Sequence, residues 1–92
     1  MQGALTRTIR VVNARGLHAR AAAKFVKCAT GFNAEVRVTK DGQTVSGSSI
    51  MGLMMLAASR GTDIDIAASG QEGDGALEAL VALVESGFGE KD

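Results

Sequence analysis

Proline, tryptophan and tyrosine are absent from this chain, cysteine and histidine occur once each, and the aromatic side chains are three phenylalanines. Without proline, nothing in the chain marks a rigid hinge. A single cysteine, Cys28, excludes an internal disulfide and every metal motif built on paired cysteines. It falls on the apolar side of a helical segment and reads as a packed, inert thiol. Phe25 lies on a core face, so too few aromatics remain for a base-stacking platform, and no nucleic-acid partner is expected despite a basic first half. No run of about eighteen apolar residues is present. Met1 to Leu5, followed by Arg7 and Arg10, lacks the apolar stretch of a secretory leader. A soluble, cytoplasmic protein without membrane insertion is therefore expected.

The 92 residues are 46% hydrophobic. That amount suits one compact core, so residues 1–92 are read as a single domain. A net charge of zero conceals two halves of opposite sign: residues 1–40 carry eight basic side chains and one acid, residues 41–92 two basic side chains and nine acids. An anionic substrate or acidic partner would be drawn to the basic half.

Hydrophobic spacing gives the order β-α-β-β-α-β-α. Leu5 to Val12 alternates as a strand, with Ile9 and Val11 on one face and Thr8 and Arg10 on the other. From His18 to about Ala29, the positions Ala22, Phe25, Val26 and Ala29 recur at helical spacing, and Gly31 closes the segment. Asn33 to Thr39 is a second strand, with Ala34, Val36 and Val38 inward. Asp41-Gly42 signals a tight hairpin returning through Gln43 to Ser46. Ser46-Gly47-Ser48-Ser49 offers a helix cap before a short helix, Ile50 to Leu56. Thr62 to Ala68 is a fourth strand, Gly70 to Gly75 a polar loop, and a last helix of about a dozen residues buries Leu77, Leu80, Val81 and Val84 and stops near Gly87. Four strands with one apolar face each, and three helices with apolar stripes, pack most simply as a two-layer α/β sandwich on a largely antiparallel sheet. Thr8, Arg10, Glu35, Arg37, Asp63 and Asp65 suit its wet face.

The run Gly16-Leu17-His18-Ala19-Arg20 sets the only histidine at the opening of the first helix, which then carries Arg20, Lys24 and Lys27. A neutral imidazole is an available nucleophile near pH 7. The first-turn amides of Ala19 and Arg20 have no intrahelical partner and can point at a phosphoryl oxygen, and the Arg20 guanidinium can bind the same group. Phosphoryl transfer asks little more than positioning and charge stabilisation. His18 is therefore read as a phosphorylation site. No second histidine, nucleotide-binding loop or metal-ligand cluster accompanies it, so a carrier served by partner proteins is expected, with no cofactor and no independent catalysis.

These residues resemble the active-site motif of the HPr family, the histidine-containing phosphocarriers of the phosphoenolpyruvate-dependent sugar phosphotransferase system. Ser49-Ile50-Met51-Gly52-Leu53-Met54 resembles that family's regulatory-serine helix, and chain length and element order also agree. The resemblance implies an α+β open-faced sandwich, a four-stranded antiparallel sheet covered on one face by three helices. It implies that Enzyme I phosphorylates His18 on Nδ1, that IIA components receive the group, and that Arg20 steadies the phosphate in a monomeric protein. Ser49 matches the serine modified by HPr kinase/phosphorylase, although serine is also among the best helix caps. Where the family commonly has proline after the arginine, this chain has Ala21, which predicts retained carrier activity with altered rates. Arg15 stands where a small polar residue is usual, and reads equally as added phosphate affinity or as solvated charge. In the serine helix, Leu53 and Leu56 form the inward set. Ile50, Met51 and Met54 are left as an apolar patch which, with Arg20, Lys24 and Lys27, is the candidate docking face. The nitrogen-linked branch of the system, and a regulatory module acting by stoichiometric contact alone, are the alternatives.

Overall fold

The structure, a computed structural model of the chain, describes residues 3–90. Its elements are β1 (Leu5–Arg10), α1 (Ala19–Thr30), β2 (Glu35–Lys40), β3 (Gln43–Ser46), α2 (Ile50–Met55), β4 (Asp63–Ser69) and α3 (Gly73–Glu85), followed by a 3-10 turn at Gly87–Gly89. The strands form one sheet in the order β1-β4-β2-β3, with every neighbouring pair antiparallel. The expected antiparallel open-faced sandwich is the fold observed.

Alternation determines which face of the sheet is covered. Ile9, Val36, Val38, Ile64, Ile66 and Ala68 are buried under the helices. Thr8, Arg10, Glu35, Arg37 and Asp63 are exposed on the other face, with Asp65 half-buried. There Arg10 pairs with Asp63 at 3.2 Å and Thr8 donates to Asp65. Helix α3 packs on β1 and β4, and α1 packs against both α2 and α3. Phe25, Leu53, Leu80 and Val84 have no accessible surface, and they join the helices to the sheet in one core. The hairpin forms as expected, because Asp41 (φ 50°) and Gly42 (φ 80°) both adopt the left-handed region of a tight two-residue turn.

Tertiary bonding moves several boundaries. β1 ends two residues before Val12 because Val11 leaves the ladder for the loop before β4: its N–H donates to the Thr62 carbonyl, and its carbonyl accepts from Gly61. β2 starts at Glu35 because Asn33 is taken by the loop before α3; the backbone N–H of Asn33 donates to the Glu72 carboxylate at 2.6 Å, and its amide donates to Gln71 at 3.0 Å. α3 begins at Gly73, inside the stretch expected to be a loop. The Glu72 carbonyl accepts the first helical bond from Ala76 at 2.9 Å, and Gly73 is buried against the end of β4.

Candidate functional site

His18 is the N-cap of α1, with extended backbone (φ −73°, ψ 178°), and its carbonyl accepts the first helical bond from Ala22 at 2.8 Å. The loop before it is fixed by close backbone contact. Gly16 has φ +63°, and a Cβ there would stand 2.3 Å from the Ala58 carbonyl oxygen, so only glycine fits. Leu17 then donates its N–H to that same oxygen at 2.9 Å. The histidine loop is thus clamped to the segment linking α2 and β4. Beside it lies a cleft of about 210 Å³ lined by Arg15, Leu17, His18, Ala57, Ala58 and Ser59.

The ring of His18 is mostly covered, with its side chain 14% exposed. Its Nδ1 turns to the helix opening and accepts from the Arg20 N–H at 3.3 Å. Its Nε2 meets the Glu90 carboxylate. Glu90 is held below the usual carboxylate range, first by the hydrogen bond from Asn13 and then by the bond and charge of His18 and the charge of Lys24, against the opposing effect of desolvation. An ionised carboxylate only accepts, so the shared proton belongs to Nε2 and the Nδ1 lone pair faces the first-turn amides.

Asn13, buried at 1% exposure, ties these parts together. Its side-chain amide donates to the Gly16 carbonyl at 2.8 Å and to Glu90 at 2.9 Å. The chain reaches this position through Phe88, which is buried although its backbone is left-handed (φ 58°). Lys24 donates to the Phe88 carbonyl at 2.7 Å.

The sequence-predicted residues divide accordingly. Ala19 and Arg20 lie in the first helical turn, and the Arg20 guanidinium is exposed and has no ion pair among the described residues. Lys27 is exposed, but Lys24 is half-buried and turned to the tail, so it does not join Arg20 and Lys27 on a free basic face. Ser49 caps α2, its Oγ accepting from Gly52 at 2.9 Å, while Ser46 and Ser48 bond to one another. Leu53 and Leu56 are inward. Ile50 (40%), Met51 (70%) and Met54 (40%) are exposed as expected, and Met55 (66%) extends the patch. Cys28 is half-buried against the core, and burial raises its thiol pKa. Ala21 is fully buried in the helix, and Arg15 is exposed at the cleft.

Asn13, Phe88 and Glu90 were not singled out by the sequence. Folding also brings an acid from the acidic half of the sequence onto the histidine of the basic half. The one available signal was Gly87-Phe88-Gly89, an apolar anchor between two glycines that adopt positive φ. Among the described residues no helix is long and apolar enough to cross a membrane, and no group of side chains could hold a metal ion.

Comparison with known proteins supports the fold and the family. The family described as "PTS HPr component phosphorylation site" matches residues 5–86. The phosphocarrier protein HPr of Neisseria meningitidis is 48% identical, over 94% of this chain and 97% of its own length. A crystal structure of HPr-C-His from Thermoanaerobacter tengcongensis superposes with a TM-score of 0.91 at 43% identity, covering 96% of this chain and 99% of its own. A second structure from that organism, at a TM-score of 0.75 and 45% identity over 89% and 94% of the two chains, is of an HPr dimer, so the expectation of a monomer gains no support from the relatives. This chain belongs to the HPr family of phosphocarrier proteins.

Proposed function

We propose that the protein accepts a phosphoryl group from phospho-Enzyme I on Nδ1 of His18 and passes it to IIA components of the phosphoenolpyruvate-dependent sugar phosphotransferase system, in the cytoplasm. The observation that carries this reading is the orientation of Nδ1 toward the first-turn amides of α1. A phosphoryl group on that nitrogen would meet the amides of Ala19 and Arg20 at the positive end of the helix, with the uncommitted Arg20 guanidinium beside it. The helix supplies charge stabilisation and the partners supply the remaining groups, so no catalysis by the isolated chain is required.

The exposed Ile50, Met51, Met54 and Met55, with Arg20 and Lys27, form the docking face for these partners. Flexible thioethers can fit several surfaces in turn, and the two cations favour acidic ones. Phosphorylation of Ser49 by HPr kinase/phosphorylase would put negative charge at the edge of this face and slow acceptance from Enzyme I. Incubation with phosphoenolpyruvate and Enzyme I should yield an acid-labile phosphate that is absent from His18→Ala. An acid-stable phosphate, or one that survives that substitution, would refute the assignment.

A further inference from the structure

We infer that Glu90 is a positioning residue for phosphoryl transfer: its carboxylate fixes the proton of His18 on Nε2, leaves the Nδ1 lone pair at the helix opening, and balances the positive charge the ring gains on phosphorylation. The inference rests on the carrier reading above. Glu90 lies beyond residue 86, where the family match ends, so it is not part of the matched motif.

The contact is built. Four contacts hold it: the Phe88 side chain seats the tail in the core, Lys24 holds the Phe88 carbonyl, the Asn13 amide takes one Glu90 oxygen, and His18 takes the other. The Glu90 side chain is only 15% exposed. Asn13 reaches both the backbone of the histidine loop and Glu90, so it sets the position of the carboxylate relative to the loop.

The chemistry follows from electron flow. As Nδ1 attacks, its lone pair becomes the nitrogen–phosphorus bond. The bond from phosphorus to the leaving atom of the phosphoryl donor breaks, and that atom keeps the electron pair. Nε2 retains its proton, so the imidazole becomes a cation. A carboxylate hydrogen-bonded to that N–H is attracted more strongly to the cation than to the neutral ring, and this difference favours the transition state. Placed at Nε2, the carboxylate acts from the edge of the ring away from the incoming phosphate.

The test uses Glu90→Ala and Glu90→Gln in the full chain with labelled histidine. In the unmodified protein a downfield Nε2–H proton, protected from exchange, should be visible by NMR at low temperature. Glu90→Ala should lose it, and Glu90→Gln should keep it weakened, because an amide oxygen still accepts. The rate of phosphate loading from Enzyme I should fall in both variants, on the order of ten- to a hundredfold, as expected for loss of a charge-assisted bond. Thermal unfolding separates a positioning role from a structural one: a loss of rate that persists when each variant is assayed well below its own midpoint supports positioning, and a loss that only follows the unfolded fraction overturns it. An unprotected Nε2–H in the unmodified protein, or loading unchanged in Glu90→Ala, would overturn the inference while His18-dependent loading stood. If no phosphate is taken up at all, the carrier reading fails, and the Nε2–H resonance still decides whether Glu90 holds the ring.

Discussion

Replacing Gly16 by alanine should damage stability and phosphate acceptance together. The added Cβ would stand 2.3 Å from the Ala58 carbonyl oxygen and 2.9 Å from the Ser59 Cα, both backbone atoms that cannot rotate away. Reaching ordinary contact requires the histidine loop to retreat by about 1 Å, a displacement that costs on the order of a hundredfold in a positioned reaction. Holding alanine at φ +63° adds roughly 1–2 kcal/mol. The retreat also stretches the 2.9 Å bond from Leu17 to Ala58, worth about 0.5–1.5 kcal/mol. The total, about 1.5–3.5 kcal/mol, should lower the urea midpoint by roughly 1–2 M. Gly42→Ala is the control, because Gly42 has φ +80° but nothing within 4 Å of the new Cβ. It should show the backbone strain alone and load phosphate at the normal rate. A Gly16→Ala protein within ~0.5 kcal/mol of the parent and equally fast would refute the claim that this close contact sets the histidine loop.

Phe88→Ala should destabilise the fold by about 3–5 kcal/mol in denaturant titrations, and where the variant remains folded it should release the tail and lose the protected Nε2–H signal. Ser49→Ala should cost about 0.5–2 kcal/mol through the lost cap to Gly52, measured by thermal unfolding, with His18 loading retained. Ser49→Asp keeps a capping oxygen but adds charge, so its loading by Enzyme I should slow while its stability stays near that of the parent. Because the Glu90 carboxyl is depressed in the folded protein, its stabilising contribution is fully present above the ordinary glutamate range and is lost as pH falls through its lower folded value. The stability difference between the parent and Glu90→Gln, followed by urea titration from neutral to acid pH, should therefore be constant at first and shrink only below that range.

Much of the fold was legible because it depends on local periodicity. Alternation at Ile64 and Ile66 identified the inner face of β4, Asp41-Gly42 identified the hairpin between β2 and β3, and the spacing of Leu53 and Leu56 identified the buried side of the short helix. The placement of His18, Ala19 and Arg20 at a helix opening was legible for the same reason, since a helix opening is a local feature. Glu90 was not, because it is 72 residues from His18 and meets it only when Phe88 anchors the tail in the core. Asn13 read as an ordinary loop residue because one of its acceptors is the nearby Gly16 carbonyl, and the other, Glu90, is 77 residues away. Lys24 shared helical spacing with the basic residues, but its direction was set by a carbonyl 64 residues away.

The most direct test is a long-range nitrogen–proton NMR spectrum of the protein carrying labelled histidine, recorded after loading with phosphoenolpyruvate and Enzyme I. The account predicts that phosphorus is bonded to Nδ1 of His18 and that Nε2 still carries its proton. Phosphate on Nε2, or on any other residue, would contradict it.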